Sequence, residues 1–136
     1  DAVSRLDVSV DGEEIAAVVR ACETALAMTM APLRAFDELL LYQFSKAASS
    51  AQFLERCAGM SPREARSVMF LVRKLKAMPL TEAAWIAGTL TSGQVHAIVD
   101  NVPKRLAEQY SADEAAVLGI IARSLSGGMW RSCCLI

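Results

Sequence analysis

The chain has 136 residues, a formal net charge of −1 at pH 7, 54% hydrophobic residues and 21% charged ones. That length supports one domain with a real core, and the near-neutral balance excludes a globally basic nucleic-acid binder, so any such face must be local. No apolar run approaches about 18 residues without a charge, which predicts no membrane partner, and no basic, apolar leader opens the chain.

The mean hydropathy of +0.32 is high for a soluble monomer. It points to an apolar interface or to a piece of a longer protein. The start at Asp1 rather than Met predicts that the true N-terminus lies further upstream. Charge is unevenly spread. Residues 1–60 carry five basic groups against nine acidic ones, and residues 61–136 carry nine basic against six acidic. The cysteines are Cys22, Cys57, Cys133 and Cys134, with no C-x-x-C pair, and His96 is the single histidine. No ligand set of zinc spacing emerges. Free, mostly buried thiols in a reducing cytoplasm are expected, with no metal and no cofactor.

In chain order, residues 1–12 read as an extended lead-in with mild alternation at Val3, Leu6, Val8 and Val10. Asp11-Gly12-Glu13-Glu14 is a capping box whose acids sit where the helix dipole favours them. The first helix then runs to about Met30, with Ile15, Val18, Val19, Cys22, Leu26 and Met30 at helical spacing. Pro32 kinks it or starts a second helix, which runs to Ala47. Leu33, Phe36, Leu39, Leu40, Leu41 and Phe44 make that second helix apolar on most sides. It is either a central helix or a dimer seam, with Leu33, Phe36, Leu40, Leu41 and Phe44 as the interface.

Two units of similar design follow. In QFLERCAGMSPREARSVMFLVRKL, a short helix opened by Ser49 and Gln52 ends at Gly59. Ser61 caps the next helix, Pro62 takes its first position and Glu64 closes the capping box. In LTEAAWIAGTLTSGQVHAIVDNV, a helix of about Thr81 to Ala87 ends at Gly88, and Thr91 with Gln94 repeats the box. Ser61 and Thr91 lie 30 positions apart, so the two halves form a weak internal repeat of helix-turn-helix-like units.

The helix from Pro62 to about Ala77 carries most of the information. At about 100° per residue, Ala65, Val68, Leu71, Val72 and Leu75 share one side. Arg63, Arg66, Arg73 and Lys74 share the other, with Phe70 inside the basic arc. Cations around an exposed aromatic suit phosphate contact with stacking. An ordinary solvated face is the competing reading. The helix from about Ser92 to Val102 buries Val95, Ile98 and Val99, directs Gln94 outward and leaves His96 near an edge. Trp85 is expected in the core. After Pro103, Ser111 and Glu114 are expected to cap one more helix, and residues 127–136 to begin a further, truncated one.

The fold class is therefore all-α: a multi-helix bundle over residues 13–126 containing two helix-turn-helix-like units. The phrases built on Phe53, Leu54, Gly59, Met60, Ser61, Glu64, Ala65 and Arg66, then Met78, Pro79, Ala87, Gly88, Leu90, Thr91, His96 and Ala97, resemble a known family. It is the helical domain of unknown function that stands ahead of HNH endonuclease domains in many actinobacterial and actinophage proteins. The resemblance is strongest over residues 50–126. It implies an all-α module that helps place a covalently linked nuclease on DNA. An HNH site needs several histidines and an asparagine around a divalent metal. With one histidine, this stretch is expected not to cut DNA.

The expected DNA contacts are Arg63, Arg66, Phe70, Arg73, Lys74, Gln94 and His96, with the helix opened by Ser61 or by Thr91 entering a groove. The alternative is a structural or homodimerisation domain without direct DNA contact. Two further readings attach to the C-terminus. The Cys133-Cys134-Leu135-Ile136 ending formally matches a prenylation box, and Gly127-Gly128 with eight following residues mimics a double-glycine leader and peptide core. No nucleophile–base pair, carboxylate dyad or phosphate loop points to an enzyme.

Overall fold

The computed structural model describes residues 11–126. The lead-in at residues 1–10, the truncated helix at 127–136 and the Cys133-Cys134 pair lie outside them. The described residues form α1 (Gly12–Met28), α2 (Met30–Glu38), a 3-10 turn (Leu41–Ser45), α3 (Ser50–Cys57), α4 (Pro62–Leu75), α5 (Pro79–Ile86), α6 (Ser92–Asn101), a second 3-10 turn (Lys104–Leu106) and α7 (Ala107–Ser126). The fold is an all-α multi-helix bundle, with no strand among the described residues.

The capping chemistry sets most boundaries. Asp11 accepts from the Glu13 amide and starts α1. Ser49 accepts from the Gln52 amide, while the Gln52 side chain closes back on the Ala48 amide. The Ser61–Glu64 and Thr91–Gln94 boxes are both closed in the two directions the motif requires. Gly59 and Gly88 adopt φ of 69° and 79°, a left-handed turn that a Cβ would strain. After Gly88 the Thr89 amide reaches back to the Ala84 carbonyl at 2.9 Å, finishing α5 as a Schellman motif. Helix-turn-helix pairs α3–α4 and α5–α6 thus stand where the repeat placed them.

Helix α4 occupies the centre and touches α2, α3, α5 and α6. Its inner face buries Ala65, Met69, Leu71, Val72 and Leu75. Trp85 of α5 is fully buried, with Met30, Met78, Leu90, Val95 and Val99 around the same core. Long polar side chains tie the elements together. The Arg34 guanidinium donates to the Val72 carbonyl near the end of α4 and pairs with Glu82 of α5 at 2.7 Å. Glu114 of α7, buried, accepts from the Thr81 amide and hydroxyl at 2.6 and 2.7 Å. It thereby supplies the N-terminal cap that Met78 cannot give to α5.

Several sequence expectations are corrected. The second helix does not run to Ala47: α2 stops at Glu38, and Leu40 and Lys46, both at positive φ, bracket a 3-10 turn. Each left-handed residue costs about 1–2 kcal/mol. Of the two roles expected of Pro32, the second holds: it sits in the first turn of α2, where its missing amide is harmless. Pro79 opens α5 at its first position. Ser111 lies inside α7, which already starts at Ala107, and Glu114 is spent on α5 instead of capping its own helix. Cys22 and Cys57 are exposed, not buried. The apolar stripe of α1 faces outward: Ile15, Val18, Val19, Cys22 and Leu26 are exposed, while Ala27 is buried and Glu23 half-buried.

Among the described residues one segment, Gly12–Glu38, is long and apolar enough to cross a membrane by length and composition, with mean hydropathy 1.3 over its best window and 11% of that window buried. Arg20 and Glu23 had interrupted any uncharged run in the sequence. In the fold, Glu23 is bound to Ser92 and Arg34 to Glu82, so this segment is docked through polar side chains that hydrocarbon would strand unpaired.

Because Arg34 and Glu82 are largely withdrawn from water, Arg34→Met should destabilise the domain by about 3 kcal/mol, chiefly by leaving Glu82 uncompensated. Urea unfolding should find Arg34→Met/Glu82→Leu more stable than Arg34→Met alone. A double variant as unstable as the single one would show that packing and not charge governs this contact.

Candidate functional site

The outer face of α4 carries four cations and an aromatic ring. Its N-terminus is fixed by Ser61, Pro62 and Glu64, and this registers the helix so that Arg63, Arg66, Phe70, Arg73 and Lys74 face away from the core. Phe70 is 46% exposed. The Lys74 ammonium lies 5.6 Å from the Phe70 ring centroid, within cation–π range.

This face is recessed. A cavity of about 650 Å³ runs along α4, lined by Arg66, Met69, Phe70, Arg73, Lys74, Ala77 and Met78. Ala51 of α3 stands on one side, and Lys104 and Ala107 of the α6–α7 connection complete the lining. Four of the lining residues are basic and none is acidic. The volume lies in the range of ligand sites. Lys104 and Ala107 could not be placed here from sequence, since no local pattern links the turn after Pro103 to a helix thirty residues earlier.

The basic residues are not equivalent. Arg73 makes a bidentate contact with Asp37, at 3.0 Å from Nε to Oδ2 and 3.2 Å from Nη2 to Oδ1. Asp37 also accepts from the Ser50 hydroxyl. The Arg73 hydrogen bonds hold the Asp37 carboxyl below its ordinary range, helped by Ser50, and raise the Arg73 guanidinium in return. Lys74 donates one bond to the Val102 carbonyl at 3.2 Å, closing the end of α6. It retains two further donors. Arg63, Arg66 and Lys104 are exposed and make no ion pair among the described residues.

Gln94 and His96 do not join this surface. Neither lines the cavity. The Gln94 side chain accepts from the Thr91 amide at 2.9 Å, so it is committed to the cap of its own helix. His96 is half-buried on α6. The α6 N-terminus is itself occupied: Glu23 accepts from the Ser92 amide and hydroxyl at 2.7 and 2.8 Å, and from the Trp85 indole at 3.3 Å. The Ser92 bonds, hydroxyl first, then the indole, lower the Glu23 pKa. A fixed carboxylate at that position repels phosphate, which argues against α6 as a groove-entering helix.

The expected interface residues divide. Leu33 and Phe36 line a separate apolar groove of about 500 Å³, and the Phe36 ring packs on Phe53 with centroids 4.7 Å apart. Leu41 and Phe44 lie on the 3-10 turn instead and Leu40 just before it, with Phe44 88% exposed. Among the described residues no three histidine, cysteine or carboxylate side chains are grouped as metal ligands. This chain matches no protein-family model, no curated protein and no solved structure.

Glu23 and Asp37 both have depressed pKa values in the folded state. Their stabilisation is therefore complete above the unfolded carboxylate value, near pH 4, and is lost as pH falls through the folded values. Urea midpoints at pH 7 and pH 3 should fall steeply for the native chain. Glu23→Gln/Asp37→Asn should be weaker at pH 7 but lose less over the same interval; an unchanged slope would mean that other carboxylates govern the acid limb.

Proposed function

We propose that this domain is a non-catalytic nucleic-acid-binding module that positions a covalently linked nuclease of the HNH type. The observation that carries the binding part is the recessed cationic surface of α4, with Arg66, Arg73, Lys74 and Lys104 around Phe70 and no carboxylate in the lining. In a chain of net charge −1, such a local excess of positive charge is what phosphate contact requires. The link to a nuclease rests on the resemblance of the Ser61 and Thr91 phrases to domains that precede HNH endonucleases.

The side chains that can bind phosphate without dismantling the fold are Arg63, Arg66 and Lys104. Arg73 and Lys74 are also structural, through Asp37 and Val102, so their removal would confuse binding with folding. Filter binding across a salt series should give an affinity that falls with salt. Arg63→Ala/Arg66→Ala/Lys104→Ala should lower the log–log slope by about 2–3 units while its urea midpoint stays close to that of the native chain. No binding at low salt, or an unchanged slope in the variant, would remove this reading.

A second reading, homodimerisation, draws on the outward apolar stripe of α1. Val18 and Val19 are 62% and 57% exposed, and Ile15, Val18, Cys22 and Ala25 follow the a/d spacing of a paired helix. This reading adds the α1 stripe to the expected seam of Leu33, Phe36, Leu40, Leu41 and Phe44, of which Leu40, Leu41 and Phe44 are also exposed. Sedimentation over a wide concentration range should then find a dimer that Val18→Asp/Val19→Asp converts to monomer; a native chain that is monomeric at high concentration would end this reading.

A further inference from the structure

We infer that the α4 groove takes single-stranded nucleic acid, with an unpaired base on Phe70, in preference to duplex DNA. The inference rests on the nucleic-acid reading above and adds the form of the ligand.

The argument is one of shape. A helix that reads duplex DNA must project into a major groove about 12 Å wide. Helix α4 cannot do so. Four other helices pack around it, and the basic part of its surface rims a cavity that also takes in Ala51 on one side and Lys104 and Ala107 on the other. Its N-terminus is closed by its own Glu64 carboxylate on the Ser61 amide. The second helix-turn-helix unit is no better placed, because Glu23 already holds the Ser92 amide that opens α6. A concave surface excludes a rigid duplex but admits a flexible strand.

The contents of the groove match that strand. Its floor is apolar at Met69, Phe70, Ala77 and Met78, and its rim carries Arg66, Arg73, Lys74 and Lys104. An exposed ring among cations is the arrangement that stacks a base while holding the flanking phosphates, and it is tolerant of sequence because every base has a π-face. Lys74 stands beside the ring with two donors unspent, and Arg66 and Lys104 make no ion pair among the described residues. Duplex DNA offers no unpaired base to the ring, so it gains only the phosphate contacts.

The test compares labelled oligo(dT), oligo(U) and a blunt DNA duplex, each of about 12 nucleotides or base pairs, by fluorescence anisotropy at one moderate salt concentration. The full chain is set against Phe70→Leu, which keeps an apolar side chain at a half-exposed position and whose fold is checked by its urea midpoint. At least one single strand should bind on the order of tenfold more tightly than the duplex. Phe70→Leu should lose on the order of tenfold in single-strand affinity and leave duplex affinity unchanged. The two oligonucleotides separate DNA from RNA as the source of the strand, and a preference for either supports the inference. Duplex binding as tight as single-strand binding, or a Phe70→Leu variant that binds single strands normally, would overturn it while leaving the nucleic-acid reading intact. No binding of any of the three, at that salt concentration and again when the series is repeated at low salt, would overturn both.

Discussion

An α-helix leaves four amides and four carbonyls without partners at its ends. Helices α3 and α5 have eight residues each, so most of their backbone belongs to an end. This chain meets that constraint with long polar side chains sent from one helix to the end of another. Glu23 of α1 holds the start of α6, and Glu114 of α7 holds the start of α5. Arg34 of α2 takes a carbonyl near the end of α4, and Lys74 of α4 takes one at the end of α6. Each contact satisfies a backbone group and fixes one helix against another, so capping and tertiary packing are here the same bonds. No buried side-chain polar atom among the described residues is left without a partner.

The same economy explains why the charged residues have such different roles. Asp37 gathers Ser50 and Arg73 and so locks α2, α3 and α4 at one point. Among the described residues Arg34 and Glu82 form the most sheltered ion pair. Such a pair contributes little net stability but is costly to break by removing one partner. Among the described cations that make no ion pair, Arg66 and Lys104 line the recessed surface, and Arg63 lies on the same outer side of α4. The groove is a by-product of how α3 and the α6–α7 connection flank the central helix.

Much of the frame was legible locally. The boxes at Ser61–Glu64 and Thr91–Gln94 and the turns at Gly59 and Gly88 depend on neighbours three or four residues apart and stand where spacing put them; so does most of the inner face of α4, where Met69 is fully buried and the expected Val68 only half-buried. The failures share a cause. Ser111–Glu114 has the spacing of a capping box, but Glu114 lies against the unsatisfied start of α5, and a tertiary partner won over a local one. The leucines after Glu38 read as helix because nothing in their pattern reports that Asp37 is pinned by Ser50 and Arg73, beyond which the chain turns at Leu40. The α1 stripe read as an ordinary helical face, yet the side that docks is marked by Glu23 and Ala27.

The sequence by itself determined an all-α chain, the positions of its two helix-turn-helix pairs and a helix with a basic outer face. These follow from periodicity and capping, which act within a turn or two of helix. Tertiary structure alone decided which cations are engaged and which are not, that Lys104 joins a face formed by residues 66–78, and that this face is concave. Those properties depend on side chains brought together from positions 28 to 69 residues apart, and no local pattern carries that information.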